Sequence, residues 1–525
     1  MLSFHIDNTT VIFANKASTF WQNIFELFPI DISDITMDDQ LISAHEDDYT
    51  SLCTDLYQLT MAAAYYVSPN RISNSQGIFE MFVRKLPSNR SYMVAAGLEQ
   101  ALEFILGIKF NDKQISYIRS LDAFKMVDED FYDYLKAFKF TGTVWAVPEG
   151  TVLFPNEPML RIEAPIIEAQ IVETYILSII NFQSLIATKA SRMVSAASGS
   201  SVIEFGSRRA HGPQAGFLAA RASFIGGCMG TSNVLAGHKL GIPVFGTMAH
   251  SFIMSFEKEE EAFQHFNHIF PSGFLLVDTY DSIVAVKKII QAGIRANGIR
   301  LDSGDLLHLS IDIRRILDQA GYSSTKIMAS GDLNEYLIKE LMDKDAPIDL
   351  FAVGTELVTS RDDPAMNGVY KLVAMRIPSL PSSSSNSLTT SNNNTKSNSY
   401  NDHNKGQLIY KIKASPGKKT YPGPKQIHRI LENNLIKIDI VTLDNEAVED
   451  GNINSIPLLR KYVEHGKILE EMPSMQTLQK FHLQQLNTLP SKFKHLDHVP
   501  EMFPVEFSDK LVTLLNEISH ERKNA

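Results

Sequence analysis

The chain has 525 residues, 44% apolar and 21% charged, which is the balance of an ordinary globular protein with room for two or more domains, or for one large barrel with an added domain. A formal net charge of −11 argues against a general nucleic-acid binder but leaves room for a local basic pocket around an anionic substrate. Two cysteines, Cys53 and Cys228, allow neither a disulfide framework nor a cysteine zinc site, and such scarcity fits a reducing compartment.

The N-terminal stretch MLSFHIDNTTVIF has no basic region leading into a long apolar one, so no signal peptide is expected. No apolar run approaches the roughly 20 residues that a spanning helix needs. A soluble, cytoplasmic protein with no membrane partner is therefore expected. Residues 1–50 turn acidic towards their end and carry no motif. Residues 377–406 are dominated by Ser and Asn, cannot offset their ordering entropy, and are expected to form a disordered insertion in a surface connection. A final helix is expected near residues 509–518.

Between these segments, short apolar runs end in polar or Gly-containing turns: SVIEFGSRR (201–209), IPVFGTMAH (242–250), GFLLVDTYD (273–281), GIRLDSGD (298–305), KIMASGD (326–332) and DLFAVGTEL (349–357). After the third run, apolar residues at 283, 284, 286, 289 and 290 mark one helical face, and Gly293 sits where the helix should stop. The segment after the fourth run repeats this pattern and ends at Gly321. Strands alternating with helices imply parallel β/α units. Glu204, His250, Asp278, Arg300, Asp302, Asp332 and Thr355 fall at or just beyond the carboxyl ends of the expected strands. In a β/α barrel those ends share one mouth, whereas a doubly wound sheet would spread them along an edge. The barrel is the favoured architecture.

Arg300 and Asp302 lie two apart and so share one face of a strand. There they form either a structural ion pair or part of a site for an anionic substrate and a metal-bound polyphosphate. Asp305 is expected to cap the next helix. Gly354 and Thr355 offer backbone N–H groups and a hydroxyl at the late strands, where such barrels frequently bind phosphate. Arg208 and Arg209 read either as a solvated face or as an anion site. His250 alone is ambiguous between a core histidine and a reactive one. No P-loop, HExxH, Cys/His zinc spacing or GxSxG elbow occurs.

Six motifs in order, TDLYQLTMA (54–62), EFGSRRAHGP (204–213), GTMAHSF (246–252), VDTYD (277–281), RLDSGD (300–305) and AVGTELVT (352–359), resemble those of the nicotinate phosphoribosyltransferase family, with ASPGKKTYPGPK (414–425) resembling its C-terminal region. The resemblance runs from about residue 50 onwards, apart from the Ser/Asn-rich segment. It implies an irregular, TIM-like α/β barrel (191–376) packed on a mixed α/β domain built from residues 51–190 and 407–525. The implied reaction joins nicotinate to 5-phosphoribosyl 1-diphosphate, gives nicotinate mononucleotide and diphosphate, and is coupled to ATP hydrolysis with Mg2+ or Mn2+. It would be the first step of NAD salvage from nicotinate. By this resemblance Tyr57, Thr247 and Arg300 contact nicotinate, and Thr355 holds the 5-phosphate. Gly354, Arg208 and Arg209 join Thr355 as candidates for binding the sugar donor. His250 becomes the histidine phosphorylated by ATP, with Asp302 as a further catalytic candidate; no metal ligand is assigned. A homodimer is also implied, with Tyr57 reaching the partner's barrel. Competing readings are a nicotinamide or quinolinate phosphoribosyltransferase, or a catalytically silent barrel acting as a binding protein.

Overall fold

In the computed structural model, the residues described are 50–378, 406–415, 417–446, 455–496 and 501–524. Early and late parts of the chain share one antiparallel sheet. Its seven strands lie in the order Gln407–Tyr410, Gly368–Ile377, Gln76–Val83, Pro158–Pro165, Thr143–Ala146, Arg460–Glu464 and Lys467–Ile468. Gln76–Val83 is central and buried along nearly its whole length, which is why QGIFEMFV reads as an apolar run without alternation. Its one charged residue, Glu80, pairs with Lys425 Nζ at 2.6 Å. Lys425 opens a second sheet, ordered Ser455–Pro457, Lys425–Glu432, Leu435–Leu443 and Val505–Phe507.

Ile377 pairs with Gln407 in antiparallel register, so the Ser/Asn-rich segment joins two neighbouring strands. Its residues 379–405 lie outside the described ones, as do residues 1–49 of the expected N-terminal extension. The final helix spans Asp509–Asn524, longer than the sequence suggested.

The second half of the chain builds a parallel sheet from β1 (Ser201–Glu204), β2 (Gly230–Thr231), β3 (Phe274–Leu276), β4 (Gly298–Leu301), β5 (Lys326–Ala329) and β6 (Leu350–Val353). The strand order is β2-β1-β6-β5-β4-β3, every pair parallel. The first strand thus touches both its successor and the last strand. That is ring order, with no reversal of the kind a doubly wound sheet shows.

The ring is not closed, which corrects the expectation of a barrel. Val244 makes one isolated bridge to Thr231, and among the described residues no ladder joins it to β3. The run Ile242–Phe245, expected to be a short buried strand, is therefore no strand. Pro243 has no N–H to give to a neighbour, and Val244 is 46% exposed. The other expected strands and the two helices after β3 and β4, Ser282–Gln291 and Leu306–Gln319, are present. Gly293 and Gly321 follow them with φ of 68° and 77°, and Asp305 Oδ1 accepts from His308 N at 3.1 Å as the N-cap.

Helix Glu173–Ala196 connects the two halves. Ile176, Ile180 and Leu185 pack into the core of the antiparallel sheet, while Ile186, Ala187, Ala190 and Met193 pack into that of the parallel one. Every residue from Gln183 to Met193 is buried, and the two buried cations in that stretch are paired. Lys189 contacts Glu335 (2.6 Å) and Asp362 (2.7 Å), and Arg192 contacts Glu335 (3.1 Å). An unpaired charge there would cost several kcal/mol.

Candidate active site

A cavity of about 490 Å³ opens at the carboxyl ends of the parallel strands, large enough for a nucleotide-sized ligand. Each strand contributes to it: Phe205 follows β1, Ser232 follows β2, Leu276 ends β3, Arg300 and Asp302 come from β4, Ser330 and Asp332 follow β5, and Gly354 and Thr355 follow β6. Thr247 and His250 enter from the segment at the open seam.

Local sequence explains several of these placements. After β1 the chain turns at Gly206, where a Cβ would sit 2.3 Å from a Val358 methyl, so only glycine fits. The 3-10 turn Ser207–Arg209 then presents Arg208 and Arg209, exposed, at the cavity mouth. After β5, Gly331 (φ 90°) and Asp332 (φ 45°) both adopt left-handed backbone. A Cβ at Gly331 would lie 2.2 Å from the Asp302 carbonyl oxygen. The close approach fixes the β5 loop against the β4 loop, and strain of this kind at Asp332 gathers at functional sites.

Arg300 is the most constrained group in the cavity. Its Nε–H donates to Ser330 Oγ (2.8 Å), Nη1 to Thr247 Oγ1 (2.8 Å) and Nη2 to Asp302 Oδ1 (2.7 Å). A guanidinium has five N–H groups, so one on each terminal nitrogen remains uncommitted. Across the seam, His250 Nε2 lies 3.2 Å from Asp278 Oδ1, and Ser303 donates to Asp278 Oδ2 at 2.5 Å. The His250 side chain is 43% exposed, while that of Asp278 is 4% exposed. Donor atoms of His250, Asp278 and Asp302 all lie within 4.8 Å of one another.

Three guanidiniums (Arg208, Arg209, Arg300) thus line the cavity with two carboxylates (Asp302, Asp332), and a third carboxylate, Asp278, stands behind His250. Three residues singled out from the sequence do not line it: Asp278, which backs His250, Glu204 and Tyr57. Glu204 is fully buried, its carboxylate taken by Gly206 N–H and the Thr231 hydroxyl, and burial raises its pKa. Tyr57 lies on helix Leu56–Tyr66, 49% exposed and outside this cavity. Conversely, Phe205, Ser232 and Ser330 line the cavity without having been singled out as binding residues. The tripeptide S-G-D recurs at 303–305 and 330–332, after adjacent strands, and was the available signal for Ser330.

Residues 52–181 match the nicotinate phosphoribosyltransferase N-terminal domain, 186–362 the quinolinate phosphoribosyl transferase C-terminal domain, and 449–515 the nicotinate phosphoribosyltransferase C-terminal domain. A nicotinate phosphoribosyltransferase of Mycobacterium tuberculosis is 40% identical over 477 residues, covering 90% of this chain and 94% of the relative. The chain belongs to the nicotinate phosphoribosyltransferase family. A Bacillus subtilis nicotinate phosphoribosyltransferase is 36% identical, with 88% of this chain and 94% of its own length covered. Among solved structures, human nicotinic acid phosphoribosyltransferase superposes with a TM-score of 0.71 at 26% identity, covering 89% of this chain and 99% of the human one. Nicotinate-nucleotide pyrophosphorylase of Pyrococcus furiosus follows at 0.64 and 26%, with 86% and 98% covered. The nicotinate phosphoribosyltransferase fold thus extends over most of this chain.

Proposed function

We propose that this chain transfers the phosphoribosyl group of 5-phosphoribosyl 1-diphosphate to nicotinate, the first step of NAD salvage from nicotinate, with ATP hydrolysis coupled through His250. The observation that carries this reading is Arg300: a guanidinium fixed by three partners, with two N–H groups left over in a cavity that Arg208 and Arg209 also line. Two parallel hydrogen bonds from such a group suit a carboxylate. The pyridine nitrogen needs no general base. Its lone pair forms the bond to the anomeric carbon as the bond to diphosphate breaks and the leaving group takes the electron pair. Alignment and electrostatic stabilisation then supply most of the rate. In this reading Thr247 and Arg300 hold nicotinate, Gly354 and Thr355 the 5-phosphate, Arg208 and Arg209 the diphosphate, and Asp332 the sugar hydroxyls.

His250 suits a phosphoryl acceptor. With Nε2–H directed at Asp278, Nδ1 keeps its lone pair and can attack the γ-phosphorus of ATP, with ADP leaving. Asp278 then stabilises the positive charge that develops on the ring. Mg2+, or Mn2+, prefers oxygen ligands and substrate phosphates, and Asp278 and Asp302 are the carboxylates that would hold it. The ion would supply charge neutralisation at the departing diphosphate.

Tyr57 belongs to the same proposal through a homodimer. It shares an exposed apolar helix face with Leu56 (50%) and Met61 (41%), a surface that a second copy of the chain could cover. Tyr57 would then reach the partner's cavity and stack on the pyridine ring. No helix among the described residues is long and apolar enough to cross a membrane, and two cysteines in 525 residues fit a reducing setting such as the cytosol.

The test is phosphoribosyl transfer from 5-phosphoribosyl 1-diphosphate to nicotinate, nicotinamide and quinolinate, each with and without ATP. Nicotinate should be used at least a hundred-fold more efficiently than either competitor, and ATP should stimulate it. The match of residues 186–362 to quinolinate phosphoribosyl transferase makes quinolinate the competitor to watch. Preferential use of quinolinate would replace this reading, and no transfer to any of the three would leave a binding protein.

A further inference from the structure

The geometry points to Ser330 as the positioning residue that keeps Arg300 available to substrate, and so as a determinant of nicotinate recognition. This rests on the reading that Arg300 binds the nicotinate carboxylate. Ser330 is 3% exposed, at the end of β5, one strand over from Arg300. Its Oγ accepts from Arg300 Nε (2.8 Å) and donates to Asp302 Oδ1 (2.6 Å), the same oxygen that accepts from Arg300 Nη2 (2.7 Å). The hydroxyl therefore sits between the Nε–H and the carboxylate.

That insertion has a chemical consequence. An arginine beside an aspartate ordinarily forms a fork, with Nε–H and one Nη–H bonded to the two carboxylate oxygens. Here Asp302 receives only one of those two bonds from Arg300. A serine hydroxyl can accept from the guanidinium and donate to the carboxylate at once, whereas a carboxylate in its place would repel Asp302 and an alanine would leave Nε–H without an acceptor. Remove the hydroxyl and the low-cost rearrangement is for Arg300 to rotate and close the fork on Asp302. The bond to Thr247 is then lost, and the two uncommitted N–H groups no longer face the cavity as they do now. Ser330 works by preventing this closure, without itself touching substrate.

The experiment compares Ser330→Ala, Arg300→Gln and the unmodified chain, measuring KM for nicotinate, KM for 5-phosphoribosyl 1-diphosphate, and kcat. Hydrogen bonds to charged groups set the scale of the effect. Ser330→Ala should raise nicotinate KM roughly ten- to hundred-fold and move the sugar donor's KM less than about three-fold. A merely structural serine would move both constants together, and that result would overturn the inference. So would an unchanged nicotinate KM in Ser330→Ala when Arg300→Gln raises it. If Arg300→Gln leaves nicotinate KM unchanged, the carboxylate reading itself fails, whatever Ser330→Ala does.

Discussion

His250 and Asp278 meet across the open seam of the parallel sheet, Nε2 to Oδ1 at 3.2 Å. The contact joins the segment after Val244 to the end of β3, where no backbone ladder does so. Under the proposed function it orients the imidazole and would leave Nδ1 to accept the phosphoryl group. Asp278→Asn should therefore cut acid-labile labelling from γ-labelled ATP at least about ten-fold, the usual scale for losing a charged hydrogen-bond partner. His250→Ala should abolish that labelling and uncouple ATP hydrolysis from nucleotide formation. Full labelling in the alanine variant would return His250 to a structural role.

Tyr57 and Arg300 provide a test of assembly. Tyr57 lies outside the cavity that Arg300 lines. If a homodimer brings Tyr57 to the partner's cavity, mixing an inactive Tyr57→Ala chain with an inactive Arg300→Ala chain should restore part of the activity, because some hybrid dimers carry one intact site. No recovery after verified subunit exchange would mean that each site is built from one chain.

The Ser/Asn-rich segment connects paired strands, with Ile377 opposite Gln407. Replacing residues 379–405 by a short Gly/Ser linker should leave kcat and both KM values within about two-fold, since loop length changes closure entropy only slowly. Loss of most activity in a folded deletion variant would tie the segment to the site.

His482 makes the fold sensitive to acid. Its Nδ1–H donates to the Gly150 carbonyl (3.0 Å), its Nε2 accepts from Ser191 Oγ (2.9 Å), and Ser191 Oγ accepts from Tyr92 (3.0 Å). Burial pushes the imidazole down to about 4 from its ordinary 6.5. The unfolded chain thus binds this proton first, and stability is lost as pH falls from about 6.5 towards 4, by roughly 3 kcal/mol in all. Thermal melts across that window should show a steeper fall for the unmodified chain than for His482→Gln; equal slopes would remove the group from the account.

Which of these features could be read from sequence follows from how local their causes are. The Arg300–Asp302 pairing is visible because two residues apart on a strand means one face, and Asp305 as a cap is visible because it precedes a helical apolar pattern. Glu204 stands at a strand end like the others, yet its carboxylate turns back to the nearby Gly206 and to Thr231, a partner 27 residues further along the chain. The open seam was hidden because Ile242–Phe245 has the apolarity of a strand, yet Val244 makes only an isolated bridge to Thr231. The repeated S-G-D marks Ser330 in the sequence, but its role shows only once Arg300 and Asp302 are seen on either side of it.

The central claim is that Arg300 anchors the nicotinate carboxylate. The most direct measurement is kcat/KM for nicotinate in the unmodified chain, Arg300→Lys and Arg300→Ala, with folding checked by thermal melts. Truncating one member of a desolvated charge pair costs about 2–5 kcal/mol, so the alanine variant should lose roughly 30-fold to several thousand-fold. Lysine should recover only part, because a point charge cannot reproduce the planar fork. An alanine variant within a few-fold of the unmodified chain would contradict the account and make Arg208 or Arg209 the next candidate for the anchor.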